Sequence, residues 1–309
     1  MTNTSLSVRG VLPPIPTPFG TDGQVAYSAL RENLTRWNPF GLAGYVVLGS
    51  NGEAAYLEDA EKVRLLEAAR EAIPADKLLI AGTGCESTQA TIVLTRQAAE
   101  VGADAALVVT PNFYDGKMTP DALVNHFVAV ADASSIPVLL YNVPKFTHVD
   151  MAASTVARCV PHPNIVGIKD SSGNITKLAD TVRLARDAGG SAAAGGRAFD
   201  VLAGSAGFLF AALAVGAVGG VVALANIAPQ QCVNIYTLYQ AGRWDEAAEL
   251  QRQMVPVNAA ITATYGVAGL KAALDMLGFY GGPVRAPLLD LDMGGCQALQ
   301  QTLSDGGLL

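Results

Sequence analysis

The chain has 309 residues, of which half are apolar and 15% are charged, with a formal net charge of −7 and a pI near 5.0. Such a chain can bury a large core, and its acidic balance excludes the electrostatic binding of nucleic acid, which needs a basic surface. The four cysteines are widely spaced and form no Cys-x-x-Cys motif, so reduced thiols are favoured over a disulfide framework or a zinc site. We therefore expect a cytoplasmic protein without a metal centre.

Neither a targeting segment nor a membrane segment is expected. The first residues, MTNTSLSVRGVLPP, lack a long apolar run and contain one arginine, unlike a secretory signal or a transit peptide. Residues 201–228 are nearly all apolar or glycine, and that length would suffice to cross a bilayer. Glycines interrupt this segment repeatedly, however, so the pattern favours a buried strand–helix–strand unit.

Eight short runs, rich in leucine and β-branched residues, alternate along the chain with longer helical patterns. The runs are continuously apolar, which is typical of parallel strands that are buried on both faces. Such an order fits a doubly wound sheet or a closed barrel, and no Gly-x-Gly-x-x-Gly motif follows the first run to support a dinucleotide-binding sheet. The runs lie at 11–19, 44–50, 78–84, 105–111, 137–144, 165–172, 200–206 and 219–227.

We accordingly predict an α/β fold, a (β/α)₈ TIM barrel with a C-terminal helical extension. The barrel, which carries the active site, spans 1–228, and a helical region over 229–309 packs on it. The glycine- and alanine-rich stretch 189–198 is predicted to be a loop before the seventh strand. Helix caps are predicted at Ser87 or Thr88 and at Thr119 or Asp121, and three late helices at 229–241, 244–263 and 266–277.

Lys169 is the residue that points most directly to chemistry. It follows the apolar run 165–168, so its side chain is expected to start inside the barrel at the carboxyl end of the sixth strand, where active sites of such barrels lie. Burying an ammonium is costly, and a neutral amine can attack a ketone to form an imine that acts as an electron sink. The alternative is a buried Lys169 paired with Asp170 or another carboxylate. The lysines at 62, 77, 117, 177 and 271 are expected to be solvated.

Other polar residues are expected near the same edge. Tyr141 ends the fifth run, where its phenol could relay protons to and from Lys169, or only bond to a backbone carbonyl. Ser50 and Asn51 open the turn after the second run, and its hydroxyl and N–H groups could hold a carboxylate. Glu53, at the end of this turn, is expected to be structural rather than a general base.

Five ordered motifs together resemble the dihydrodipicolinate synthase/N-acetylneuraminate lyase family. They are GSNGE (49–53), VVTPNFY (108–114), YNVP (141–144), GIKDSSG (167–173) and ALANIAP (223–229). Further segments, among them LLIAGTGCESTQAT (78–91) and GFYGGPVRAPL (278–288), are most similar to the 4-hydroxy-2-oxoglutarate aldolase branch of that family. The resemblance implies a homotetramer of barrels and a reaction on pyruvate-type 2-oxo acids that needs no metal or organic cofactor.

The resemblance also implies roles for individual residues. Lys169 would form the imine, with Tyr141 relaying protons and Ser50 passing protons to Tyr141. The Ser50–Asn51 turn would hold the carboxylate of the 2-oxo acid. Ser171 would contact the distal part of the substrate, and Gly204 would let the backbone approach the bound ligand.

Two positions depart from the family pattern. Where the synthases that use aspartate semialdehyde have an arginine after YNVP, this chain has Phe146, which cannot pair with a carboxylate. Phe113 occupies the place of the tyrosine that the family donates across a subunit interface, so Tyr114 is the candidate to supply the missing hydroxyl. We therefore expect a class I aldolase that cleaves 4-hydroxy-2-oxoglutarate to pyruvate and glyoxylate. The alternatives are 4-hydroxy-tetrahydrodipicolinate synthesis, a hydratase–aldolase or sugar-acid lyase, and a binding protein without turnover.

Overall fold

The computed structural model describes residues 6–190 and 198–309. The predicted loop at 189–198 therefore lies largely outside the described residues. Eight strands alternate with helices along the chain. The strands are β1 (Gly10–Leu12), β2 (Gly44–Val47), β3 (Leu78–Gly82), β4 (Ala105–Val109), β5 (Val138–Asn142), β6 (Ile165–Asp170), β7 (Asp200–Ala203) and β8 (Gly219–Val221).

The helices between the strands and after them complete the fold. Those up to β8 are α1 (Tyr27–Trp37), α2 (Asp59–Ala72), α3 (Thr88–Glu100), α4 (Pro120–Ala133), α5 (Pro144–Thr147), α6 (Ala153–Cys159), α7 (Ile175–Asp187) and α8 (Leu209–Ala214). Those after β8 are α9 (Pro229–Gln240), α10 (Trp244–Ala259), α11 (Gly266–Met276) and α12 (Met293–Asp305).

The strands form one eight-stranded parallel sheet in the order β1-β8-β7-β6-β5-β4-β3-β2. Its two terminal strands in this order are joined by a parallel bridge between Pro14 and Val46, with Ile15 N donating to Val46 O over 2.9 Å. Strands that neighbour each other in sequence thus neighbour each other in the sheet, with helices between them, which confirms the predicted (β/α)₈ barrel with C-terminal helices. The predicted division at residue 228 stays a prediction.

The described residues cluster in two compact units. The first unit contains those of 1–9, 80–204 and 211–220, and the second contains 10–79, 205–210 and 221–309. In the first unit the core is made by the apolar strands β4 to β7, for example Leu139 and Leu140 on β5, which are fully buried. In the second unit Trp37 stacks on Phe279 at 5.4 Å between ring centroids.

Side-chain caps start the helices where the sequence indicated. Ser87 Oγ accepts a hydrogen bond from Ala90 N at the start of α3, and Thr119 Oγ1 accepts one from Ala122 N at the start of α4. Each bond satisfies a backbone donor that has no partner within the helix. The segment 201–228 contains β7, α8 and β8, as predicted. In the described part of the chain, no helix is both long and apolar enough to cross a membrane.

His126 on α4 should make the stability of the protein depend on pH. Its ring is buried, with Nδ1 2.9 Å from Thr88 Oγ1, and burial lowers its pKa from 6.5 to about 4, while the charge of Glu86 opposes this shift. Because the unfolded chain binds the proton more readily, the stabilisation is fully present above pH 6.5 and is lost as the pH falls towards 4. The loss should reach about 3 kcal/mol in the free energy of unfolding.

Urea unfolding at several pH values between 7 and 4 would measure this dependence. The variant His126→Gln has no titrating ring, so its stability should fall less steeply over the same range. Equal slopes for the wild type and the variant would contradict the assignment.

Candidate active site

Lys169 and Tyr141 lie side by side at the carboxyl ends of β6 and β5. The two strands pair in parallel with Tyr141 opposite Lys169, and the Lys169 Nζ lies 4.1 Å from the centroid of the Tyr141 ring. Both side chains are buried, with 2% of Lys169 and 5% of Tyr141 exposed. The strand register therefore brings together the two residues that sequence reasoning placed first.

The carboxylate next to Lys169 is engaged elsewhere. Asp170 Oδ2 lies 3.2 Å from Lys177 Nζ, and Asp170 Oδ1 accepts a hydrogen bond of 2.7 Å from Ser172 N. Successive residues of a strand point to opposite faces, so Asp170 faces away from the side that Lys169 occupies. Among residues 6–190 and 198–309, no carboxylate forms an ion pair with Lys169. The alternative in which Lys169 pairs with Asp170 is therefore wrong.

Ser50 and Asn51 form a short turn in the second unit. A 3₁₀ helix over Ser50–Gly52 follows β2, and both side chains are half-buried. The carbonyl of Gly52 accepts a hydrogen bond of 2.6 Å from Thr17 Oγ1, which fixes the turn from its buried side. The turn ends at Glu53, whose backbone is left-handed with φ 53°, a strained conformation for a residue with a side chain.

Glu53 is held by a buried charge cluster that the sequence did not reveal. Its carboxylate lies 2.5 Å from Lys271 Nζ and accepts a hydrogen bond of 2.8 Å from Arg285 N. Lys271 is only 2% exposed, so the expectation that it is solvated is wrong. Burial lowers the pKa of Lys271, and the adjacent Glu53 carboxylate opposes this shift. The ring of Phe19 lies 4.3 Å from the cationic centres of both Lys271 and Arg285.

Glu53 therefore has the structural role expected for it. The strained backbone at Glu53 persists because Lys271 holds one oxygen of its carboxylate and Arg285 N holds the other. One signal for Lys271 was available in the sequence. It is followed at helical spacing by Leu274, which is buried, so Lys271 borders the apolar stripe of α11.

Phe113 and Tyr114 project from the loop after β4. Their rings meet edge to face at 5.0 Å, with 75% of Phe113 and 69% of Tyr114 exposed. The backbone beneath them is ordered by Glu86, which accepts hydrogen bonds from Asn112 N at 2.9 Å and Phe113 N at 2.8 Å. The role of Tyr114 as a replacement for the missing tyrosine stays a prediction.

Ser171 and Gly204 lie close together next to Asp170. Ser171 Oγ is 3.5 Å from the Gly204 carbonyl oxygen, and Gly204 N donates to Asp170 O over 2.7 Å. A Cβ atom at residue 204 would lie 1.9 Å from Ser171 Oγ. The strand contact with Ser171 therefore already requires glycine at this position, whereas the predicted ligand contacts of both residues stay predictions.

Phe146 lies on the short helix α5, where the family resemblance leads us to expect an arginine in the synthases. Its side chain is 57% exposed, and Lys145 Nζ lies 5.5 Å from the centroid of its ring. A phenyl ring offers no bidentate partner for a carboxylate. Among the residues that the structure describes, no group of three or more His, Cys, Asp or Glu could hold a metal ion.

Sequence comparison matches the chain to a known protein family. The sequence profile of the Dihydrodipicolinate synthetase family matches residues 7–305. The 4-hydroxy-tetrahydrodipicolinate synthase of Methanosphaerula palustris is 35% identical over 298 residues, which cover 96% of this chain and 98% of that protein.

Solved structures are similar over nearly the whole chain. The 4-hydroxy-tetrahydrodipicolinate synthase of Methylacidiphilum fumariolicum SolV has a TM-score of 0.89 at 31% identity, covering 97% of this chain and 96% of that one. The chloride-inhibited dihydrodipicolinate synthase of Acinetobacter baumannii, complexed with pyruvate, has a TM-score of 0.90 at 29% identity, covering 98% and 100%. These relatives confirm the predicted family, but their names do not support the predicted closeness to 4-hydroxy-2-oxoglutarate aldolase.

Proposed function

Because the chain belongs to the Dihydrodipicolinate synthetase family, a family of pyruvate-dependent lyases of the aldolase type, we propose that Lys169 forms a Schiff base with pyruvate or a related 2-oxo acid. The observation that carries this proposal is the buried Lys169 amine, which lies beside Tyr141 and pairs with no carboxylate in the described chain. A buried amine that is not held in an ion pair can act as a nucleophile. The chemistry requires no metal or organic cofactor.

The proposed reaction begins when the Lys169 Nζ attacks the C2 carbonyl of the 2-oxo acid. Protonation of the carbinolamine oxygen releases water and leaves a protonated imine, which withdraws electrons from the neighbouring carbon. In the cleavage direction, loss of the proton from the 4-hydroxyl breaks the C3–C4 bond, and its electron pair moves into the imine to give an enamine and an aldehyde. Protonation of the enamine at C3 and hydrolysis release pyruvate and free Lys169.

Tyr141 is proposed to move the protons in these steps. Its ring lies 4.1 Å from the Lys169 amine, and it stands opposite Lys169 on the adjacent strand, which supports a role of the phenol in proton transfer. By resemblance, Ser50 passes protons to Tyr141 and the Ser50–Asn51 turn binds the substrate carboxylate. Tyr114, Ser171 and Gly204 are proposed as further contributors on the same ground.

For the second product we propose glyoxylate, released from 4-hydroxy-2-oxoglutarate. The support is Phe146, which removes the guanidinium that the synthases use to bind aspartate semialdehyde, together with the segments that resemble the aldolase branch. Losing one bidentate charged contact would cost a substrate carboxylate about 2 to 5 kcal/mol of binding.

A second candidate is 4-hydroxy-tetrahydrodipicolinate synthesis from pyruvate and aspartate semialdehyde. It is favoured by the names of the relatives. The two 4-hydroxy-tetrahydrodipicolinate synthases described above align with 96% and 97% of this chain. We further propose that the protein is cytoplasmic, on the ground of its widely spaced cysteines, and a homotetramer, on the ground of the resemblance. One similar structure is described as a monomeric dihydrodipicolinate synthase variant.

Trapping with sodium borohydride in the presence of pyruvate tests the imine. Mass spectrometry should find a reduced pyruvate adduct on one peptide, the one that contains Lys169. Absence of the adduct from folded protein would contradict the proposal and favour a binding protein.

The two second substrates are separated by turnover assays on the same preparation. We expect glyoxylate release from 4-hydroxy-2-oxoglutarate to exceed, by at least about 100-fold in kcat/KM, condensation with aspartate semialdehyde. The variant Phe146→Arg should reduce this ratio, because it restores a carboxylate partner. A ratio in favour of aspartate semialdehyde in the wild type would establish the synthase instead.

A further inference from the structure

We propose that a polar network on the outer face of β5 and β6 positions Lys169 against Tyr141. It consists of the buried Asn142 and Asp170, the largely buried Lys177 and Asp150, whose side chain is 52% exposed. The inference rests on the proposed imine at Lys169 and adds residues that touch neither the substrate nor the reacting atoms. All four members lie in the first unit.

Asn142 is the centre of this network. It is fully buried and directly follows Tyr141, and it lies opposite Asp170 in the same strand pairing that sets Tyr141 opposite Lys169. Its Nδ2 donates to Asp170 Oδ2 over 3.2 Å and to Asp150 Oδ1 over 2.9 Å. Its Oδ1 accepts a hydrogen bond of 2.9 Å from Met151 N, so each polar atom of the amide is used.

Lys177 closes the network from the first turn of α7. Its Nζ lies 3.2 Å from Asp170 Oδ2 and also forms a short ion pair with Asp150 Oδ1. The lysine side chain is 12% exposed, so it is not the solvated ammonium that the sequence led us to expect. Two carboxylates share one ammonium and one amide, an arrangement that tolerates little displacement of any member.

The ionisation of Asp150 agrees with this arrangement. Burial alone would raise the pKa of Asp150, but the hydrogen bonds from Lys177 and Asn142 outweigh burial and lower it. The carboxylate is therefore charged at neutral pH and keeps the ion pair with Lys177 intact.

The network acts on the catalytic pair through the backbone. Because side chains alternate across a strand, Asn142 and Asp170 lie on one face of the sheet while Tyr141 and Lys169 lie on the other. Cross-strand bonds between Asn142 and Asp170 oppose any sliding or separation of the two strand ends. The 4.1 Å contact between the Lys169 amine and the Tyr141 ring depends on that register. A misplacement of about 1 Å can lower a rate by about 100-fold.

The test compares borohydride trapping of pyruvate in variants of the full-length protein. Asn142→Ala and Lys177→Met should each lower the trapping rate at saturating pyruvate by about 10- to 100-fold. The pyruvate concentration that gives half-maximal rate should change by less than about 3-fold, because no network member belongs to the proposed carboxylate-binding turn. Lys177→Arg keeps the cation and should restore at least a third of the wild-type rate, on the order of a 3-fold loss or less.

Asn164→Ala is the matched control for stability. Asn164 precedes β6 at its amino end, and its Nδ2 donates to the carbonyls of Ala131, Ser134 and Ile136 over 2.9 to 3.1 Å. The variant should lower the melting temperature as Asn142→Ala does, yet keep the wild-type trapping rate, since its site is about 16 Å along the strand from Lys169.

The outcomes separate the two proposals. An adduct at Lys169 that forms as fast in Asn142→Ala and Lys177→Met as in Asn164→Ala would overturn the positioning role and leave the proposed function intact. No adduct in the wild type would overturn both. If Asn142→Ala does not fold, Lys177→Met and Lys177→Arg alone decide the question, because Lys177 lies at the edge of the network.

Discussion

Replacing Lys169 by alanine should lower kcat for 2-oxo acid cleavage by about 10⁴-fold or more, and should abolish the borohydride adduct. Every proposed step after substrate binding passes through the bond to Lys169 Nζ, so no neighbouring group can take over its role. Lys169 is also the strand residue whose amine meets the ring of Tyr141. The measurement is steady-state kinetics together with intact-protein mass spectrometry after reduction.

Lys169→Arg is the informative companion to this variant. It places a positive charge over the Tyr141 ring, but a guanidinium stays protonated and cannot form the imine. Both variants should therefore be equally inactive while Lys117→Ala, which removes an exposed lysine, keeps full activity. Residual cleavage in Lys169→Arg within about 10-fold of the wild type would show that charge, and not imine formation, matters at this position.

Replacing Lys271 by methionine should lower the free energy of unfolding by about 3 to 5 kcal/mol. The variant leaves the Glu53 carboxylate buried without its ammonium partner. An unpaired buried charge is the main energetic cost when a buried ion pair is broken. Hydrogen bonding from Arg285 N continues but does not supply a full charge. Urea unfolding followed by circular dichroism measures the change.

Two comparisons identify the source of this loss. In the double variant Glu53→Gln with Lys271→Met no charge is left unpaired, so it should recover part of the lost stability. Arg243→Met removes one partner of an exposed ion pair with Glu246 and should change the free energy of unfolding by less than about 1 kcal/mol. Equal effects of Lys271→Met and Arg243→Met would contradict the burial argument.

The fold and the proximity of Lys169 to Tyr141 were predictable because they depend on local patterns. The apolar runs predicted the eight strands, and the capping residues Ser87 and Thr119 predicted the starts of α3 and α4. Since parallel strands place their carboxyl ends at one edge, Lys169 and Tyr141 could be expected there together. The structure adds that they are direct partners in register.

The charged networks could not be predicted because they depend on long-range contacts. Lys271 meets Glu53 across more than two hundred positions of sequence, and Lys177 meets Asp150 across 27 positions. In sequence Lys177 resembles an ordinary helix-surface residue, and the position of Lys271 beside the apolar stripe of α11 does not identify Glu53 as its partner. Helix α12 was not predicted, because Gly294 and Gly295 in its first turn have low helix propensity. In the structure the Asp292 side chain accepts a hydrogen bond from Gly295 N and so caps the start of this helix.

The joining of β1 to β8 has a consequence for synthesis of the protein on the ribosome. Val222 N, just after β8, donates to Leu12 O, just within the end of β1, over 3.0 Å. Residue 12 is synthesised early and residue 222 late. The edge of β1 that pairs with β8 therefore has no strand partner while most of the chain is being translated. An unpaired strand edge favours association with other chains. Chaperone dependence of the nascent protein should therefore end only once residues beyond 222 have left the ribosome.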